Sequence, residues 1–184
     1  MKILGFHFPS KPTMHAHVGA LQKRFRRQYW TLYHLKRAGF KEEELAKVYR
    51  TVILPIADYC QVVYHAMITD EQDQQIERLQ SKALKCIYHS YASMRKLAGV
   101  STLRQRRIEA ADKFASKCAG SDCFARWFPL RQAGRAGVRR GEKYLEEFAR
   151  CDRLKNTPIF YMRRRMNGKQ GRTYGERNRQ YQDN

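Results

Sequence analysis

The stretch Thr69–Tyr88, TDEQDQQIERLQSKALKCIY, carries the signals that decide the fold. Thr69 is followed three residues later by Gln72, the capping-box spacing in which each side chain covers a free backbone N–H of the first turn. Asp70, Glu71 and Asp73 fill that turn, where the helix dipole favours negative charge; Lys82 and Lys85 lie near the far end, where it favours positive charge. Ile76, Leu79, Ala83, Leu84 and Ile87 recur at helical spacing and predict one buried stripe.

Helical patterning continues on both sides. Upstream, Glu42–Met67 is apolar nearly all round, which predicts a central element, and Pro55 must kink or break it by removing a hydrogen bond and crowding the preceding turn. Before that, Thr13–Arg37 carries Val18, Leu21, Phe25, Tyr29, Leu32 and Leu35 on one side, and Gly39 stops it. Its other side carries Lys23, Arg26, Arg27, Trp30, Tyr33 and Arg37. Cations interleaved with flat rings suit a nucleic-acid backbone and its bases. Packing of Trp30 and Tyr33 against a neighbouring helix is the equal alternative. Residues 2–8 read as a strand ending at Pro9; a lone strand needs a partner, and few other segments look like one, which suggests part of a longer protein.

Downstream, Ser101 is the expected cap of a helix running to about Ala119, with Leu103, Ile108, Ala111, Phe114, Ala115 and Cys118 inward. Phe124, Trp127 and Phe128 form an aromatic knot before Pro129. Residues 130–140 are rich in Gly and Arg, Glu142–Leu154 reads as a short amphipathic helix, and an apolar Ile159–Met162 precedes Arg163, Arg164 and Arg165. The last eighteen residues are polar and read as disordered. The expected architecture is mainly α: a helical bundle with a short N-terminal β-strand and a basic, partly disordered C-terminal tail. The expected divisions are 1–12, 13–128 and 129–184.

Charge narrows the function. The 184 residues hold 37 Lys+Arg against 17 Asp+Glu, a formal net charge of +20. Residues 1–40 hold eight cations and no acid, 41–100 hold eight of each, 101–129 hold six against three, and 130–184 hold fifteen against six. A neutral middle flanked by basic ends points to a polyanionic partner, gained by release of counterions condensed on phosphates. No 18-residue apolar run or secretory leader is present, so the expected setting is cytoplasmic or nuclear with no membrane contact. Cys60, Cys86, Cys118, Cys123 and Cys151 are odd in number and irregular in spacing, and read as free thiols. No phosphate loop, nucleophile elbow or aspartate pair for two metal ions occurs. Asp70-Glu71-x-Asp73 reads as helix-start charge. The expectation is no catalytic residue and no metal ligand.

Three segments in order resemble the C-terminal part of reverse transcriptases from non-LTR (LINE-type) retrotransposons. Lys2–Phe6, K-I-L-G-F, is similar to the Leu-Gly strand that leads to the primer grip. Val48-Tyr49, Pro55 and Tyr59 resemble the thumb helix with its internal proline. Leu79-Gln80 and Ala83-Leu84-Lys85-x-Ile87 resemble the segment L-Q-x-x-A-L-R-x-I, with Lys85 in place of Arg. His15 or His17 before a long basic helix also fits. The resemblance covers about residues 1–90. The family's Tyr-x-Asp-Asp box and fingers lie upstream of the matched segments and are absent here.

The resemblance implies a palm remnant, a helical thumb-like domain and a basic extension. Such a chain would not be an enzyme by itself. Its partners would be an RNA–DNA hybrid, RNA or DNA backbone, and the missing palm and fingers of the same polyprotein. It would hold no cofactor, Mg being expected only in the missing palm. The nucleic-acid contacts expected are Lys23, Arg26, Arg27, Trp30 and Arg37 on the first helix, and Arg163, Arg164, Arg165, Lys169 and Arg172 in the extension. A stand-alone basic helical RNA- or DNA-binding protein of ribosome-associated type is the alternative, and an enzyme in residues 91–184 a third.

Overall fold

The computed structural model describes residues 2–3, 6–7, 14–88, 101–130, 143–146, 151–155 and 157–168. These residues are mainly α-helical. Lys2–Ile3 (β1) pairs antiparallel with Phe6–His7 (β2). The helices are α1 (His15–Arg37), α2 (Glu42–Val48), α3 (Leu54–Asp58), α4 (Gln61–Tyr64), α5 (Asp70–Ile87), α6 (Leu103–Ala119), α7 (Asp152–Lys155) and α8 (Pro158–Met166). A π-helical stretch, Tyr49–Ile53, follows α2, and 3-10 turns occupy His65–Met67 and Asp122–Trp127. The rest of the expected strand over 2–8, the connector 89–100, the Gly/Arg-rich 131–142 and the tail from residue 169 lie outside the described residues. The chain divides into two compact units, Met1–Gln61 with Glu71–Arg107, and Val62–Asp70 with Ile108–Asn184.

In the first unit α1 packs on α2, the π stretch and α3. Val18, Leu21, Phe25 and Leu32 of α1 are buried, while Tyr29 and Leu35 are half-buried. Ala38 and Gly39 close α1: Gly39 N–H donates to Lys36 O at 3.1 Å and Phe40 N–H to Leu35 O at 3.3 Å. Gly39 has φ +92°, which an L side chain adopts only with strain. Phe6 is 3% exposed, its ring 4.4 Å from that of His17 on α1.

The expected break at Pro55 takes a different form. Pro55 lies in the first turn of α3, where a missing N–H costs least. The turn before it widens to π geometry, closed by Leu54 N–H on Tyr49 O. The backbone breaks four residues later. Tyr59 is extended, and Cys60 has φ +56°, the left-handed region. The π stretch buries Tyr49 and Ile53. Burial pushes the Tyr49 phenol up to about 12, against the opposing pull of Gln80 and Arg106.

α5 buries Ile76, Ala83, Leu84 and Ile87, together with Gln72 and Gln80. Two of its acids, Asp73 and Glu77, meet the start of α6. Arg107 is 1% exposed and ion-pairs with Asp73; Arg104 lies 3.6 Å from the same carboxylate. Glu77 accepts the Arg104 backbone N–H at 2.7 Å. Thr102, rather than the expected Ser101, caps α6, accepting the Gln105 N–H at 3.0 Å. The inward positions of α6 are Leu103, Arg107, Ala111, Ala115 and Cys118; Ile108 is half-buried and Phe114 is exposed. Arg106 donates to Asp58 at the end of α3, at 3.0 Å through Nε.

The second unit is built on Ala66, Ala111, Ala115, Cys118, Phe128, Tyr144, Tyr161 and Met162. His65 Nε2 and Tyr161 Oη lie 3.0 Å apart within it. The aromatic knot forms as expected in part: Phe128 is buried, and the rings of Phe124 and Trp127 lie 4.8 Å apart. The helix expected over Glu142–Leu154 does not form at Lys143–Glu146. Tyr144 instead bridges Leu130. Asn167, just past α8, accepts the N–H groups of Lys143 and Tyr144 at 3.1 and 2.9 Å and donates to Tyr144 O at 3.0 Å. Only α7 at the end of that span is helical among its described residues.

Two measurements check this packing. Asp73→Ala leaves Arg107 buried without its counter-charge and should cost about 3–5 kcal/mol, and Arg107→Met added to it should recover most of the loss. Chemical denaturation of the three proteins reads both effects. Tyr49 keeps its proton in the folded chain up to about 12, whereas an unfolded tyrosine loses it near the ordinary value of 10.0. Stability therefore falls as pH rises between those values, and Tyr49→Phe should reduce the fall when denaturant midpoints are compared at about pH 9 and 11.

Candidate nucleic-acid interface

α1 contains Lys23, Arg24, Arg26, Arg27, Lys36 and Arg37 and no carboxylate. Like charges at i, i+4, such as Lys23 and Arg27, oppose helix formation, and no acid in the first turn favours the dipole. The helix is stable through its buried side. Lys23, Arg26, Arg27, Trp30, Tyr33, His34 and Arg37 fall at i, i+3, i+4, i+7, i+10, i+11 and i+14, and all are exposed. Among the described residues, Lys23, Arg26, Arg27 and Arg37 make no ion pair. Trp30 is 60% exposed, so it does not pack into a neighbouring helix. It meets Tyr33 edge-on with centroids 5.8 Å apart.

Within this first unit a groove of about 610 Å³ separates α1 from α5. Gln22, Phe25, Arg26, Tyr29 and Trp30 line one wall; Gln75, Arg78, Leu79, Lys82, Lys85 and Cys86 line the other. Among the described residues, Phe25 and Cys86 are its most buried lining residues, and its four charged lining residues are all cations. Arg78, Lys82 and Lys85 are exposed. Gln22 donates to Gln75 Oε1 at 3.0 Å, and Gln75 in turn to Glu71 at 3.3 Å, tying the helices together at one end. At the other end Lys36 Nζ donates to Cys86 O at 2.6 Å, placing a cation on the last carbonyls of α5. Burial pushes the Cys86 thiol up, so Cys86 stays neutral below the groove.

Arg78, Lys82 and Lys85 were not among the contacts expected from sequence. Their spacing of i, i+4, i+7 on one side of Leu79 is the signal that could have found them. The two lysines read instead as a response to the helix dipole.

The arginine triplet has partners inside the second unit. Arg163 is 5% exposed, and its Nε donates to Trp127 O at 2.6 Å. Arg165 ion-pairs with Asp112, with Nε–Oδ1 at 2.9 Å, and that contact raises the Arg165 pKa further. Arg164 lies 3.9 Å from Glu146. Arg163 and Arg165 bond to neighbouring segments of the second unit, while the Arg164 and Arg165 side chains stay partly open to solvent. Lys169 and Arg172 lie outside the described residues. Among the described residues, no group of three His, Cys, Asp or Glu side chains is placed to hold a metal ion. In the same set no helix is long and apolar enough to cross a membrane.

Comparison with protein-family models, with curated proteins and with solved structures finds no match to this chain.

Arg163→Ala uncovers the buried Trp127 carbonyl and should destabilise the protein by about 1–3 kcal/mol. The salt dependence of nucleic-acid binding, measured below the variant's melting temperature, should stay as in the wild type.

Proposed function

We propose that the groove between α1 and α5 binds the sugar–phosphate backbone of a nucleic-acid duplex, with an RNA–DNA hybrid as the leading substrate. The observation that carries this reading is the groove lining: Arg26 faces a wall bearing Arg78, Lys82 and Lys85, with Trp30 beside them and, among the described residues, no lining carboxylate. The cations would act by displacing condensed counterions, an effect that is independent of sequence. An RNA–DNA hybrid is A-like, and its wide, shallow minor groove is read through shape and backbone.

The α1 stripe from Lys23 to Arg37 advances fourteen residues, about 21 Å, the length of about six base-pair steps along the axis of a DNA duplex. The order of the three sequence segments supports placing this surface in a thumb of reverse-transcriptase type that lays basic side chains along template and primer. On that reading the chain contributes grip and no chemistry. The stand-alone nucleic-acid-binding alternative is favoured by Phe6, which is buried against His17 of the same chain rather than left for an external sheet.

Anisotropy of a labelled RNA–DNA hybrid, with single-stranded RNA and duplex DNA beside it, tests both readings over about 50–300 mM salt. Four groove cations should give a log–log slope of about −3 to −4. The double variant Arg78→Gln, Lys82→Gln should flatten it by about two without lowering the melting temperature. Preference for the hybrid supports the thumb. A steep slope without preference supports the stand-alone binder, and no binding at low salt refutes the proposal.

A further inference from the structure

Three exposed rings sit together on α1. Trp30 and Tyr33 meet at 5.8 Å and 87°, Tyr33 and His34 at 5.8 Å and 72°, and Trp30 and His34 at 6.1 Å and 31°. Each ring touches the other two, which limits the rotamers available to Trp30 although 60% of it is open to water. An exposed tryptophan forgoes the burial that normally makes it stabilising. Holding it in place with two more aromatic side chains adds nothing to the core of the unit.

We propose that Trp30, Tyr33 and His34 form a stacking platform for an unpaired nucleobase at the mouth of the groove. The surface then prefers a duplex that carries a single-stranded overhang to a blunt one. This rests on the nucleic-acid reading of the groove, and it names a feature of the substrate that phosphate contacts alone do not select. Two placements support it. Trp30 itself lines the groove, so the platform is continuous with the cationic walls. Along α1 it lies between cations: Arg26 and Arg27 come one turn before it, and Arg37 two turns after, at about 6 and 10 Å along the axis. A base stacked on Trp30 would leave its flanking phosphates beside guanidiniums. Every base has a π-face, so the contact accepts any sequence. An apolar peptide would use the rings but gain nothing from the surrounding cations.

The test compares three labelled RNA–DNA hybrids at one salt concentration: blunt, with an overhang of about five nucleotides, and with the same overhang made abasic. The full chain should bind the base-bearing overhang at least about fivefold more tightly than the blunt hybrid. The abasic overhang should lose that gain. Trp30→Ala should collapse the overhang-to-blunt ratio to about one, Trp30→Phe should keep part of it, and neither should change the salt slope. Circular dichroism confirms that the variants fold. Equal affinity for blunt and overhang hybrids, an abasic overhang as good as the base-bearing one, or an unchanged ratio in Trp30→Ala would each overturn the platform. Steep, salt-dependent binding of the blunt hybrid with no overhang gain would remove the platform and leave the groove reading intact. Loss of blunt binding with Trp30-dependent overhang binding retained would do the reverse.

Discussion

The buried pair between Arg107 and Asp73 sets the character of the first unit. A guanidinium that is 1% exposed is tolerable only with its counter-charge in place, so the start of α6 is committed to the acidic side of α5. Arg104 joins the same carboxylate, and Glu77 accepts the Arg104 backbone N–H in the first turn of α6. Asp73 and Glu77 are thus engaged at the start of α6, while Glu71 accepts a hydrogen bond from Gln75. Arg78, Lys82 and Lys85 line the groove toward α1, and among the described residues no carboxylate lines it. Engaging Asp73 and Glu77 elsewhere leaves cations as the charged lining of that wall among the described residues.

The same principle separates structural from available cations elsewhere. A guanidinium near carbonyls or carboxylates bonds within the fold, as Arg163 does to Trp127, Arg165 to Asp112 and Arg106 to Asp58. Lys36 neutralises the last carbonyls of α5. Among the described residues Lys23, Arg26, Arg27 and Arg37 of α1 make no ion pair, and like charges such as Lys23 and Arg27 repel. A large formal charge is therefore a poor guide to a binding surface by itself. The useful quantity is the charge left after internal pairing, and among the described residues Lys23, Arg26, Arg27 and Arg37 of α1 keep theirs.

Local strain is also spread rather than concentrated. Pro55 removes one donor, and the π stretch ahead of it reroutes the hydrogen bonds so that Tyr49 and Ile53 still reach the core. The direction of the chain changes at Tyr59 and Cys60 instead, where the left-handed backbone turns the polypeptide out of α3.

Much of the helical layout was legible from contiguous residues. The stripe of α1, its stop at Gly39, the span of α5 and most of α6 follow from apolar spacing and end signals, which involve residues within two or three turns of each other. The exposed cations on α1 were legible for the same reason, since one helix's periodicity defines both of its sides, whereas for Trp30 exposure and packing on a neighbouring helix stood as equal readings until the fold left it 60% exposed. What the tertiary structure alone decided depends on partners far apart in sequence. Arg107 enters an apolar stripe because Asp73 meets it. Arg163–Arg165 is an internal brace because Trp127, Asp112 and Glu146 lie beside it. Lys143–Glu146 has a helix-compatible pattern but is held extended by Asn167 and Leu130. The second wall of the groove exists because α5 packs alongside α1. Periodicity is a property of one segment, whereas burial of a charge and closure of a groove are settled by which segments meet, and that choice is made by the packed chain as a whole.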